Sequence, residues 1–268
     1  MIDESIQQKL RAKYNPDGST LRRAQLRMLD ILKFIDKVCR DNGLKYWLEG
    51  GTLLGAVRHG GFIPWDDDTD IAMTREDSMK LVKILRRHNP SDEFVIQCRE
   101  TDPGYFGNWP VVRDLKTEYI QDSQLHNIRR YRGLQVDVFP VEYTNESLWN
   151  MARRLETALI YFPIAGERFK WLKPFAPLNY ALLHKCLYPL IRKMPADKSA
   201  YHFQLGNSFK DRHTNDNIFP LSKVTFEGIE FPAPANPDKY LTETYGDWRH
   251  IPEGDEIKTH KVNVIFYD

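Results

Sequence analysis

Four aspartates fall within five residues, at Asp66-Asp67-Asp68-Thr69-Asp70. On a strand, Asp66, Asp68 and Asp70 would share one face and Asp67 the other, with like residues about 6.6–6.8 Å apart. Carboxylates packed so closely repel one another unless a cation lies among them. A hard divalent ion such as Mg2+, or Mn2+ in its place, takes oxygen ligands and keeps positions free for phosphate oxygens. A third carboxylate on an adjacent strand would complete such a centre. Asp137 is the natural candidate, flanked by Val136 and Val138 in an alternating apolar run over 134–139. Asp66 and Asp70 would stand about 13 Å apart on an extended strand, too far to share one ion. Asp68 and Asp70 lead straight into Ile71-Ala72-Met73, whereas Asp66 follows Pro64-Trp65 in an entry loop. The metal and catalytic set expected is Asp68, Asp70 and Asp137, with Asp66 in reserve.

Acidic clusters also form solvated turns. A calcium loop would use Asp66, Asp68, Asp70 and Asp77, but Ile71 stands where that loop needs glycine and the residues after it read as strand. A second ingredient lies upstream in Leu48-Glu49-Gly50-Gly51-Thr52. Glycine lets backbone N–H groups approach a phosphate, and a helix N-terminus favours anions. A Gly-Gly pair alone is equally a simple turn; its order gives it weight. A strand, Gly-Gly-Thr, Asp-x-Asp before an apolar residue and a distant strand aspartate together resemble the signature of a nucleotidyltransferase fold.

The elements that must hold these residues follow from periodicity. Apolar residues at spacings of three and four predict a helix over 21–42, ended by Gly43. The run 44–48 reads as a buried strand, 52–58 as one or two helical turns, and 71–73 as the strand continuing the aspartates. A helix is predicted over 75–88, with Met79, Leu81, Val82 and Leu85 inward. Strands are predicted over 93–99, 108–112, 118–122 and 134–139, the last ending at Pro140. From about 145 to 214, helical periodicity broken by prolines predicts a helical annex. A hairpin over 217–231 and a short helix over 237–245 complete the chain. The fold class is α+β: a mixed sheet flanked by helices, with core residues about 21–144 and 215–268 and the annex between them.

The 268 residues hold 38 basic against 37 acidic side chains, so no broad field draws nucleic acid and any anion must be held locally. Cys39, Cys98 and Cys186 form no CxxC pair, which suggests neither a zinc site nor a disulfide framework. The acidic, polar N-terminus is unlike a signal peptide, and no apolar run approaches the roughly 18–20 residues that span a bilayer. A cytoplasmic protein is expected. The annex mixes aromatic and apolar residues with lysine and arginine, a pattern open to two readings: packing on the core, or contact with the inner membrane surface.

The stretch from Gly51 to Met73, with Val112-Arg113-Asp114, Asp137-Val138-Phe139-Pro140, Tyr245-Gly246-Asp247-Trp248 and His260, closely resembles the LicD family of bacterial phosphocholine transferases, related to the fukutin group. That resemblance implies a nucleotidyltransferase-like fold moving a phosphocholine-type head group from a CDP-activated donor to a hydroxyl of a cell-surface glycan or lipid-linked glycan precursor. It places Asp68, Asp70 and Asp137 at the family's metal carboxylates and Gly50, Gly51 and Thr52 at its phosphate-side loop. Asp114-Leu115-Lys116-Thr117 departs from the more polar run common there, which weakens inference about donor contacts near Arg113.

Arg58 and Arg113 are candidates for phosphate or CMP, against the alternative of salt bridges. His59 reads as a loop residue, and His260 stands open between a site role and tail packing. A choline head group would call for an aromatic cage, and Trp65, Tyr105, Trp109 and Trp248 lie nearest the motifs. The competing readings are transfer of another activated group (phosphoethanolamine, aminoethylphosphonate or a polyol phosphate), a glycosyltransferase, and a non-catalytic nucleotide-binding regulator.

Overall fold

The computed structural model describes residues 2–121, 123–257 and 262–267. After α1 (Glu4–Tyr14), Ser19 accepts the Arg22 N–H and so caps α2 (Thr20–Asp41), whose apolar stripe buries Met28, Ile31, Leu32 and Ile35. Gly43 then turns the chain at φ +64°. The next elements are β1 (Tyr46–Leu48), α3 (Gly50–His59), β2 (Asp70–Thr74), α4 (Arg75–Arg87) and β3 (Phe94–Gln97). They lead to β4 (Val111–Asp114), β5 (Thr117–Tyr119), α5 (Gln124–Asn127) and β6 (Gln135–Thr144).

The main sheet runs β1-β2-β6-β4-β3, with β2 and β6 parallel and the other neighbours antiparallel. Ile71, Ala72 and Met73 are all fully buried, as are Val138 and Phe139, so both faces of the sheet are covered. Helices α2 and α4 both pack against β6. Met79, expected inward, is 54% exposed, while Leu81 and Leu85 hold α4 to the core.

Three expectations are corrected. The aspartates do not form one strand: only Asp70 is in β2, and 66–69 is irregular. The partner β1 pairs only as far as Leu48 opposite Ile71 before the chain enters α3, so no ladder remains on that side to hold 66–69 extended. Second, Pro140 does not end β6. The edge of β6 is shared, β4 covering 135–137 and β7 (Asp197–Phe203) beginning at Val141. Pro140 lies at the changeover, where the missing N–H is not needed.

Third, helix does not persist to 214. The segment comprises α6 (Glu146–Glu156), a π-helical turn at Thr157–Tyr161, α7 (Phe162–Ala165), a 3-10 turn at Lys170–Phe175, α8 (Ala176–Ala181), a second π turn at Leu182–Leu187, and α9 (Tyr188–Ile191). The chain then returns to the sheet as β7 and β8 (Arg212–Thr214). The annex has its own core of Trp149, Ile160, Ile164, Leu183, Tyr188 and Ile191. After α10 (Asn215–Ile218) come the hairpin β9 (Ser222–Phe226) and β10 (Ile229–Ala233), then α11 (Pro237–Tyr245), as predicted. A final strand, β11 (Val264–Phe266), pairs β5. Among the described residues no helix is long and apolar enough to cross a membrane.

Candidate active site

Helix α3 starts at the glycine pair. Gly50 adopts φ +54°, a conformation costly for other residues, and its N–H donates to the Glu49 carboxylate at 3.0 Å. Glu49 is buried and also accepts from Trp47 Nε1 at 3.3 Å and from the Tyr240 hydroxyl. Thr52 is buried too, and its Oγ1 accepts the Asp70 N–H at 2.8 Å. Its hydroxyl oxygen thus ties the start of β2 to the first turn of α3.

The carboxylates gather over this turn. A Cβ on Gly50 would stand 3.3 Å from Asp70 Oδ2; one on Gly51 would stand 2.7 Å from Asp66 Oδ2 and 3.9 Å from Asp68 Oδ1. Asp66, held in reserve on the strand reading, is therefore brought back to the cluster by the bend of the loop. Gln25 helps to fix that bend, donating to the Asp66 carbonyl at 2.9 Å. Asp70 and Asp137 are register partners on β2 and β6. Asp137 is oriented by Trp109 Nε1 at 3.0 Å and by Gln135 Nε2 at 2.8 Å to both oxygens. Asp67 turns away, accepting from the Tyr119 hydroxyl at 2.7 Å.

The electrostatics are those of crowded acids. Burial, then Asp68, Asp137, Asp66 and Glu49, push the Asp70 carboxyl well above the aspartate range. Burial followed by Asp68 and Asp67 does the same to Asp66. Asp137 is also raised by burial, against the opposing pull of Trp109, Gln135, Arg113 and Arg129. These three side chains are partly buried, and Asp68 is exposed. The Tyr245 hydroxyl joins the group, 3.6 Å from the Gly50 Cβ position, and is pushed up by burial and by Glu49, Asp70, Asp66 and Asp68. The four aspartates offer carboxylate oxygens, the chemistry a hard divalent cation takes. Among the described residues, though, no three His, Cys, Asp or Glu side chains are already arranged to hold an ion.

A cavity of about 290 Å³ opens beside the acids, lined by Asp67, Asp68 and Asp137 on one side and by Arg113, Arg129 and Tyr119 on another. Arg113 is buried; its Nε donates to Gln97 Oε1 and Nη1 to the Gly133 carbonyl, both at 2.7 Å, while Nη2 has no partner among the described residues. Burial and the neighbouring Arg129 lower its pKa to about 10, and it stays charged at neutral pH. A buried cation with a spare donor on an acid-walled cavity is suited to an oxyanion held close to the carboxylates. Arg129, Tyr119 and Gln135 were not singled out from sequence. The basic run Arg129-Arg130-Tyr131-Arg132 before Gly133 was the available signal for the first.

Arg58 is placed elsewhere. Its Nη1 donates to the Trp248 and His250 carbonyls, both at 2.8 Å, and Nε to His59 Nε2 at 3.0 Å. It fastens the segment after α11 to α3 instead of lining the cavity. His59 is the last residue of α3, not a loop residue; burial and Arg58 lower its pKa to about 3, leaving it neutral. His260 lies outside the described residues. Trp65 packs edge-on against Tyr14 and His59, and Trp248 is buried. Of the aromatic candidates, Trp109 touches an acid of the cluster, and Tyr105 supports it by donating to its carbonyl at 2.7 Å. The calcium-loop alternative fails because Asp70–Thr74 is strand β2, with Ile71 at the position where that loop needs glycine.

The family described as LicD/FKTN/FKRP, nucleotidyltransferase domain, matches residues 43–184, more than half of the chain. The chain belongs to that family. It is 26% identical over 268 aligned positions to the lipopolysaccharide cholinephosphotransferase LicD of Haemophilus influenzae, an alignment covering 92% of this chain and 98% of that protein. It is 51% identical over 48 residues to human ribitol 5-phosphate transferase FKRP, covering 18% of this chain and 10% of that one. With mouse ribitol-5-phosphate transferase FKTN the identity is 23% over 148 residues, covering 55% and 26%. The match to the two ribitol phosphate transferases is thus confined to a small part of their length.

Proposed function

We propose that this protein transfers a phosphocholine-type head group from a CDP-activated donor to a hydroxyl of a cell-surface glycan precursor, in a nucleotidyltransferase-like site. The observation that carries the reading is buried Arg113, a guanidinium that lines the same cavity as Asp68 and Asp137. An anion-binding guanidinium opposite a cluster of acids is what a diphosphate ester and a divalent cation together require. The near full-length relative named as a cholinephosphotransferase supports the choice of head group.

Asp68, Asp70 and Asp137 would hold Mg2+ or Mn2+, with Asp66 close enough to contribute. When bound, the ion would neutralise the donor diphosphate. Arg113 and Arg129 would hold the phosphate oxygens and keep the transferred phosphorus in line. Asp137, steadied by Trp109 and Gln135, would accept the proton of the acceptor hydroxyl. The acceptor oxygen forms the new bond to the head-group phosphorus as the bond to CMP breaks, and CMP leaves with that electron pair. A lipid-linked acceptor would place the protein at the inner membrane surface. The annex has the composition for that contact, with Trp171 71%, Leu190 60% and Leu178 57% exposed among basic residues.

The test is incubation with Mg2+ and a panel of CDP-choline, CDP-ethanolamine, a CDP-polyol and nucleotide sugars, with candidate glycans, following the released nucleotide by phosphorus NMR. CMP release from CDP-choline that needs both cation and glycan is the expected result. Release from the CDP-polyol alone would move the head group to the class named for the two ribitol phosphate relatives. Turnover only of nucleotide sugars would refute transfer from CDP donors, and CMP binding with no turnover would favour a regulator.

A further inference from the structure

We propose that a second cavity, adjoining the first across Trp109 and Arg129, receives the cationic end of the transferred head group, with Glu156 as its counter-charge. The inference rests on the transfer reading above and adds the place of the head group. This cavity has a volume of about 390 Å³ and lies between the sheet side of the molecule and the annex. Arg129 lines both cavities, and Trp109, which holds Asp137 at the first, forms part of the wall of the second. A phosphate held at Arg113 and Arg129 therefore has its substituent directed to one of two places: the acids, or this second chamber. A zwitterionic head group would leave its phosphate with Arg129, which lines both cavities, and direct its cationic end to Glu156.

The wall suits a quaternary ammonium. Tyr105, Phe106, Trp109 and Tyr161 supply aromatic surface; Arg129 already lies over Tyr105 and Arg99 over Phe106, which leaves Trp109 and Tyr161 to meet a new cation. A quaternary ammonium cannot donate hydrogen bonds, so it is recognised by π faces and by a nearby carboxylate. Glu156 supplies that carboxylate. It is buried, and its oxygens contact the Tyr188 hydroxyl at 2.8 Å and His184 Nε2 at 3.1 Å. Among the described residues no lysine or arginine is paired with it. A buried carboxylate with no lysine or arginine paired to it, on a chamber with aromatic walls, is suited to a cation that cannot donate hydrogen bonds.

The local backbone explains why the wall has this form. Glu156 is the last residue of α6, and the five residues after it form the π turn Thr157–Tyr161. Thr157, Ile160 and Tyr161 of that turn all face the chamber with Glu156. Wide turns of this kind recur at functional sites.

Isothermal titration of the whole protein with phosphocholine, phosphoethanolamine, inorganic phosphate and CMP tests the proposal without requiring turnover. The variants are Glu156→Gln and Tyr161→Ala, the second at a ring that is 46% exposed and so outside the packed core. Phosphocholine should bind more tightly than inorganic phosphate and weaken about tenfold in either variant, while CMP changes less than about twofold. Phosphocholine binding no tighter than phosphate, or an unchanged titration in both variants, would overturn it. The two readings fail separately. Donor turnover with these titrations flat would leave the transfer reading standing and remove the chamber; selective phosphocholine binding without CMP release would do the reverse.

Discussion

Replacing Asp70 by asparagine should stabilise the cation-free protein while removing turnover. Asp70 and Asp137 are register partners on adjacent parallel strands. Side chains so placed stand roughly 5 Å apart, and at an effective dielectric near ~20 two charges at that separation repel by ~3 kcal/mol. Both side chains are partly exposed, which screens the repulsion. A gain of about 1–3 kcal/mol, or roughly 2–10 °C in Tm, is expected. The pH dependence follows the same cause. The carboxyls of Asp70 and Asp66 are raised above the ordinary aspartate value of 3.8, so above that pH the folded chain binds more protons than the unfolded one. Their stabilising contribution is complete below the unfolded value and is lost as pH rises toward the folded one, by up to ~1.4 kcal/mol per pH unit for each group. Thermal unfolding in EDTA, from about pH 4.5 to about pH 8, should therefore show wild-type stability falling with pH and a shallower fall in Asp70→Asn. Mg2+ at the upper end should restore the wild type and leave the variant unmoved. Equal pH slopes, or a variant that melts several degrees below wild type in EDTA, would refute the crowded-acid account.

Three further outcomes follow from the geometry. Arg113→Lys keeps the charge but loses the fork that spans Gln97, Gly133 and the cavity, so CMP affinity should fall about tenfold by calorimetry; unchanged affinity would place the phosphates elsewhere. Arg58→Ala strands the Trp248 and His250 carbonyls, costing about 2–4 kcal/mol in urea unfolding while the donor KM holds steady; a raised KM at wild-type stability would return Arg58 to the site. If the annex meets lipid, sedimentation with anionic vesicles should weaken in a Trp171→Ser, Leu178→Ser double variant and in high salt, and equal recovery of both proteins would remove membrane contact from the reading.

Much of the frame was legible because its signals are local. The stripe of α2 and Gly43 after it placed that helix within a residue at each end, and the short helix predicted over 237–245 is α11. The alternation around Asp137 gave its strand, and two strands carrying aspartates invited the pairing that the register shows. What was hidden depends on distant partners. Arg58 sits inside the most recognisable motif, yet its donors are taken by carbonyls some 190 positions away. The bend of 66–69 is set by Gln25 on another helix, and the strand spacing that set Asp66 apart from Asp70 does not apply to it. Pro140 looked like a stop because the sequence does not reveal that β6 changes partners there.

That bend is itself the chemical point. A regular strand would fix carboxylates at about 6.8 Å intervals along one face, too regular to close around a single small ion. An irregular loop that delivers Asp66 and Asp68 beside Asp70 removes that limit, at the cost of gathering like charges. Gly51 is what makes the gathering possible. The Asp66 carboxylate occupies the space a side chain would take, 2.7 Å from the Cβ position. Gly50, at positive φ, lets the chain turn into α3 directly beneath Asp70. The two glycines, weak evidence as a phosphate loop, serve here first as room for the acids. Any role toward phosphate would then be exercised through a cation held by those acids and through Arg113, while the Thr52 oxygen accepts from the backbone of Asp70.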